Sequence, residues 1–325
     1  MAAPYNNRVT NLPIVDVVGV GANAIDTLIP LAAFPERGSK VEYSNVNLMP
    51  GGETATAVIA CQTWGLRTRY VGKLGDDDAG RMHREAFAQA GVETHLVFVA
   101  GAASPQSLIL VDEGGERTVF CRRDDRLILR GEELDCAWVE RARALLIDGH
   151  NPSAALTAAR WARAAAIPVV ADLDVIYPGV EDLIANIDYL IVSRDFPTRL
   201  MNDTHLDRAL QHISARFGCR LAAATLGQDG VLAFDGKQML HNAAYRVTVA
   251  DTTGAGDLFH AGFVYALLQD WPLRRQLDFA CAAAALNCTR TGARGGIATV
   301  EAIQELMKTG SRYEVSFLDD AQVTL

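Results

Sequence analysis

The sequence predicts an α/β fold, with a mostly parallel central sheet, helices on both faces and a small separate β-sheet. Three observations carry this. From Ala144 onward, short apolar runs of strand length alternate with helical stretches, the pattern of strands that return through helices. Residues 95–123 instead hold short strand-like runs with no helix between them. Half of the 325 residues are hydrophobic, enough to bury a sizeable core.

Composition narrows the function. A formal net charge of −9 argues against nucleic acid or an anionic membrane as the main partner. A phosphate ligand stays compatible, because local N–H groups and a few arginines decide that. The cysteines at 61, 121, 136, 219, 281 and 288 form no CxxC pair and no metal-ligand spacing, so reduced thiols are expected. Residues 1–13 lack the basic and apolar regions of a secretory signal, and no apolar run reaches the ~18 residues of a membrane span. A cytoplasmic protein is expected.

Ile14 to Val20 reads as a buried strand. It runs into Gly19-Val20-Gly21-Ala22-Asn23-Ala24, which fits the GxGxxA of dinucleotide sites. Such a site needs a helix next and an acidic residue about 20 positions on. Pro30 and Pro35 interrupt the helix and the acidic strand end is missing, so the context speaks against a dinucleotide site. An NAD-dependent dehydrogenase stays a rival resting on Gly19 to Ala24 alone. Lys40 to Leu48 alternates like a strand. Pro50-Gly51-Gly52 ends it and opens a small-residue helix through Leu66, with glycines that let backbone approach a ligand. Tyr70 to Gly80 reads as strand, turn and helix start, with Asp76, Asp77 and Asp78 expected to cap the helix rather than hold a metal.

Val97 to Val99, Ser107 to Val111 and Thr118 to Cys121 read as short strands, the last two joined by a turn at 112–116. With 40–48 they would form the small sheet, ending at Arg122 and Arg123. Beyond Ala144, strand ends fall at Asp148 to His150, Asp172, Ser193 and Thr225 to Gly227. Ligands of such sheets bind past the carboxyl ends of strands, so Asp148, His150, Asp172, Ser193, Gly227 and Asp257 are expected to crowd one cleft. His83, His95, His205, His212, His241 and His260 show no paired spacing and read as structural.

The most informative run is Asp251-Thr252-Thr253-Gly254-Ala255-Gly256-Asp257, which leads into a helix from Leu258. A glycine turn at a helix N-terminus gathers free N–H groups and the positive dipole end, an anion site. Asp257 places a carboxylate beside it, which suits a base that takes a proton while the N–H groups hold a phosphoryl group. Thr252 or Thr253 is expected to cap the helix.

This run, an aromatic two residues later and the small-residue helix resemble the C-terminal signature of the ribokinase (PfkB) family of sugar kinases. Gly51-Gly52 resembles the family's N-terminal signature, with Thr56 in place of its usual Asn. The resemblance covers roughly residues 14–305. It implies a ribokinase-like domain at 12–310, with a lid contributed by about 26–50 and 95–123, and a tail at 311–325 trailing over the surface or a partner subunit. It further implies ATP and Mg²⁺, with Asp257 as base and Gly254, Ala255 and Gly256 as anion hole. Asp26, Gly51, Gly52, Thr56, Arg123 and His150 would bind a small sugar or sugar derivative. Ser193, Thr225, Gly227, Gly230 and Asn287 would bind ATP, with Ser193 and Phe196 standing where many members carry an Asn-x-x-Glu that organises Mg²⁺. The backbone at Asp251 and Thr253 would suit a monovalent cation such as K⁺. A homodimer through the lid is implied. The pairing of 51–56 with Cys288 to Ile297 is also similar to bacterial sulfofructose kinases. A nucleoside kinase and a catalytically dead sugar-binding regulator are the alternatives, and the intact 251–257 run speaks against the second.

Overall fold

The computed structural model describes residues 14–43, 45–113 and 117–314. The expected turn at 112–116 lies partly outside them, as do the domain start at 12 and the tail beyond 314.

The chain opens with β1 (Val15–Val20), then β2 (Ala24–Pro30) and β3 (Asn47–Gly51), followed by helix α1 (Glu53–Thr63). Strand β4 (Thr68–Gly75), α2 (Asp78–Ala90), β5 (Glu93–Val99), β6 (Gln106–Val111) and β7 (Arg117–Arg122) come next. After α3 (Cys136–Glu140) the alternation is regular: β8 (Ala142–Asp148), α4 (Pro152–Ala164), β9 (Val169–Leu173), α5 (Val180–Ile184) and β10 (Tyr189–Ser193). Helices α6 (Phe196–Met201) and α7 (Leu206–Phe217) lead to β11 (Leu221–Thr225), β12 (Val231–Phe234) and β13 (Met239–Asn242). Helices α8 (Ala255–Leu268), α9 (Leu273–Asn287) and α10 (Val300–Thr309) complete it.

Among the described residues, nine strands form one sheet in the order β13-β12-β11-β10-β9-β8-β1-β4-β5. It is parallel from β5 to β11, and its last two strands are antiparallel. One face buries Leu145, Ile147, Ala155, Ala159 and Leu210. The other buries Val17, Leu146, Phe259, Phe263 and Phe279 under α1, α8 and α9. Burial on both faces explains why these strands read as unbroken apolar runs.

The small sheet runs β3-β2-β6-β7, with β2 and β6 parallel and the outer pairs antiparallel. Two sequence expectations are corrected here. Residues 97–99 belong to β5, the edge of the large sheet, where Glu93 pairs with Arg69 in register and accepts from its guanidinium at 2.7 Å. Residues 40–43 form no strand: they are exposed, with no second layer against which to bury alternate side chains. Pairing starts at Asn47. Of the aspartates after β4, Asp77 caps α2, its Oδ1 accepting the Gly80 N–H at 2.9 Å, whereas Asp76 Oδ1 accepts the N–H of Gly101 in the loop after β5 at 2.9 Å.

Candidate active site

The site lies where strand carboxyl ends meet the N-terminus of α8. Gly254 caps that helix with φ +76°, and a Cβ there would stand 2.4 Å from the Ala293 carbonyl oxygen, so the turn admits only glycine. No side chain caps the helix, contrary to the expectation for Thr252 or Thr253. The Ala255 N–H returns to the Thr252 carbonyl at 3.2 Å. The N–H groups of Gly256 and Asp257 have no partner among the described residues, and the space beside Gly256 is open. Open donors at a positive helix end form an anion site.

Two loops brace this turn. Asp251 accepts N–H bonds from Thr253 at 2.8 Å and Gly292 at 2.7 Å. Asn287 donates from Nδ2 to the Thr253 carbonyl at 3.0 Å and accepts the Gly296 N–H at 3.2 Å.

The turn is a wall between two cavities. The first, about 450 Å³, lies beneath the small sheet and is lined by Asp26, Glu53, Arg117, Arg123, His150 and Asp257 among others. The second, about 350 Å³, is lined by Thr225, Gly227, Gly230, Tyr245, Gly256 and Phe259 among others. Asp257 faces the first and Gly256 the second.

In the first cavity burial, reinforced by the Glu53 carboxyl, pushes the Asp257 carboxyl up to about 7. Burial likewise lifts Asp26 to about 6, against a Ser107 hydrogen bond and the Arg294 charge. Asp26 fits there because Gly51 opposite has no Cβ: one would lie 2.1 Å from Asp26 Oδ2. His150 Nε2 and Glu53 Oε1 are 2.8 Å apart. Burial raises the Glu53 carboxyl; it opposes charge on His150, but the bond to Glu53 and the Asp148 charge hold the imidazole above its usual value. Asp174 brings a third ligand-type atom within 4.8 Å of this pair. Asp148 is fully buried and fixes the strand exits, accepting from the Ala22 N–H and the Thr54 hydroxyl, each at 2.6 Å. From the small sheet, Arg117 Nη1 reaches the Thr252 hydroxyl at 3.1 Å.

Of the sequence-predicted residues, Asp26, Gly52, Arg123, His150, Gly254 and Asp257 line the first cavity. Thr225, Gly227, Gly230, Ala255 and Gly256 line the second. The six strand-end residues do not crowd one cleft: His150 and Asp257 line the first cavity, Gly227 the second, and Asp148, Asp172 and Ser193 neither. Thr56 is wholly buried, and its hydroxyl accepts from Arg294 Nε at 3.1 Å. Ser193 ends β10 opposite Thr225 and lines neither cavity, while Asn287 sits under the loops. Asp172 lies 3.1 Å from His260, whose ring nitrogens also face the Gly256 and Ile191 carbonyls beneath the turn. Glu53, Arg117 and Tyr313 went unread in the sequence, and Arg294 was read only as one position of the 288–297 loop. Glu53 carried one local signal, an acid directly after Gly-Gly at a helix start.

The model of the pfkB family carbohydrate kinases matches residues 17–300. The chain belongs to this family. Membership makes it an ATP-dependent carbohydrate kinase, on a ribokinase-like α/β fold. It is 27% identical over 286 residues to an ATP-dependent ribose-1-phosphate kinase of Halopiger xanaduensis, covering 86% of this chain and 94% of that one. It is 25% identical over 291 residues to the ribokinase of Bacillus subtilis, covering 89% and 98%. A solved ribokinase candidate from Agrobacterium tumefaciens superposes with a TM-score of 0.84 at 29% identity, covering 90% of this chain and 97% of that one. Among the described residues no helix is long and apolar enough to cross a membrane.

Proposed function

We propose that this kinase transfers the γ-phosphoryl group of ATP to a hydroxyl, a primary CH₂OH, of a small sugar or sugar derivative held in the first cavity. The observation that carries this is a carboxylate, Asp257, raised to about 7 beside two unpartnered helix N–H groups. A base works best when its pKa lies near the working pH. The substrate oxygen attacks the γ-phosphorus, the bond to the β–γ bridging oxygen breaks, ADP leaves and the hydroxyl proton passes to Asp257. The Gly256 and Asp257 N–H groups hold the charge that accumulates on the transferring oxygens.

Asp26 and the Glu53–His150 pair grip the sugar's other hydroxyls, since an acceptor and a donor-acceptor pair together read hydroxyl orientation. The nucleotide base occupies the second cavity, with the phosphates laid across the turn. Mg²⁺ brought with the ATP would neutralise phosphate charge. A monovalent cation would take the backbone carbonyls of Asp251 and Thr253, where the Thr253 hydroxyl is buried without a partner.

The outer face of the small sheet supports a homodimer through the lid. Leu48, Thr27, Leu108 and Phe120 are mutual neighbours across all four strands, and Leu48, Leu108 and Phe120 are 53%, 38% and 56% exposed. A second copy of the same face would cover this row.

The test is ADP release from ATP against ketoses, aldoses, sugar phosphates, sugar acids and nucleosides. A small sugar or sugar derivative that turns over with a micromolar to millimolar KM supports the reading. Turnover confined to nucleosides overturns the sugar assignment.

A further inference from the structure

The family model stops at residue 300, yet the chain continues past α10 and returns to the second cavity. Residues 311–325 were expected to trail over the surface or a partner subunit; of these, the described residues 311–314 are tied down. The Arg246 N–H donates to the Ser311 carbonyl at 2.9 Å, and Arg246 Nε to the Arg312 carbonyl at 3.0 Å. The Tyr313 N–H donates to the Ala244 carbonyl at 3.0 Å. Arg312 inserts beside Tyr245, its guanidinium 4.0 Å from that ring's centroid. There it donates to the Ala243 carbonyl at 2.6 Å, the Tyr245 hydroxyl at 2.5 Å and the Asp278 carboxylate. Tyr245, 2% exposed, donates in turn to Asp278 at 2.7 Å.

This strap carries Tyr313 into the lining of the second cavity, with Tyr245, Val247, Phe259, Ala284 and Ala285. The Arg246 guanidinium stands 5.3 Å from the Tyr313 ring centroid and fixes its orientation. An aromatic ring on the wall of an apolar cavity, beside a phosphate-binding turn, suits a flat heteroaromatic base.

We propose that Tyr313 contacts the nucleotide base and that Arg312 is the positioning residue that fastens it, a nucleotide clamp contributed by the segment beyond the family domain. This rests on the nucleotide base occupying the second cavity. The phosphates are held elsewhere, by the turn at 254–257, so the clamp acts on the base alone.

The experiment is calorimetric titration of ADP, and separately of tripolyphosphate, which lacks a base, into the full chain and its variants. Tyr313→Ala weakens ADP roughly tenfold, the order of one lost base–aromatic contact, and leaves tripolyphosphate unchanged. Tyr313→Phe, which keeps the ring, restores ADP binding to within about twofold, and Arg312→Gln weakens ADP in the same sense as Tyr313→Ala. Ala284→Phe, which fills the cavity, separates the two readings. If Ala284→Phe abolishes ADP binding while Tyr313→Ala binds like the native chain, the clamp is wrong and the base pocket stands. If Ala284→Phe binds ADP normally, the base lies elsewhere and both fall.

Discussion

Arg294 donates from Nη2 to the Gly51 carbonyl at 2.7 Å, joining residues 243 apart in sequence. With its bond from Nε to Thr56, it fastens the start of α1 to the loop that packs on Gly254. The wall of the first cavity and the glycine turn at 254–257 are therefore one framework. Burial lowers the guanidinium only to about 10, so it stays charged at neutral pH. Arg294→Met leaves the Gly51 carbonyl without its donor. Loss of a buried partner of this kind costs about 1–3 kcal/mol, to be read from urea unfolding. The sugar KM rises while the ATP KM holds.

Glu53→Ala removes the hydrogen-bonding partner of His150. A charged hydrogen bond contributes about 1.5–3 kcal/mol, so the sugar KM rises by roughly tenfold or more. The His150 imidazole then titrates at lower pH, because the carboxylate that holds it up is gone. Steady-state kinetics and NMR titration of the ring protons check the two parts.

Asp257 makes the empty site pH-sensitive. In the unfolded chain it ionises near 3.8, in the fold near 7. Between those values the folded state keeps a proton the unfolded state has lost, so stability falls as pH rises through the window. Asp257→Asn removes the penalty: its Tm exceeds that of the native chain at pH 8, and the gap narrows toward pH 4. The base must be ionised to act, so native kcat/KM falls as pH drops below about 7.

Phe120→Asp places a charge at the β7 end of the apolar row on the small sheet, at its most exposed side chain. Sedimentation should show the native chain as a dimer and the variant as a monomer. A native chain that sediments as a monomer at micromolar concentration refutes the lid interface.

The 251–257 run was legible because its meaning is local: a glycine turn, a helix start and an acid are contiguous in sequence. The parallel sheet was legible because burial on both faces leaves unbroken apolar strands. Arg294 was legible only as one position of the 288–297 loop that resemblance pairs with 51–56; its bonds to Gly51 and Thr56 join residues far apart in sequence and were not. Thr56 and Asn287 sit at the right places in sequence for ligand contacts, yet their side chains turn to Arg294 and to the Thr253 and Gly296 backbone. The strand expected over 40–48 starts only at Asn47; residues 40–43 alternate well enough, but alternation without a layer to cover it does not make a strand. The strap lacks periodicity because Ser311, Arg312 and Tyr313 need none to bind through backbone and one arginine.

The decisive measurement is kcat for Asp257→Asn alongside its affinity for ADP. The account predicts a fall of about 10²–10⁴ in kcat with ADP binding kept, the size expected when a positioned base is lost. Near-native turnover in that variant, with a sugar substrate that saturates normally, would remove Asp257 from the mechanism and contradict the account.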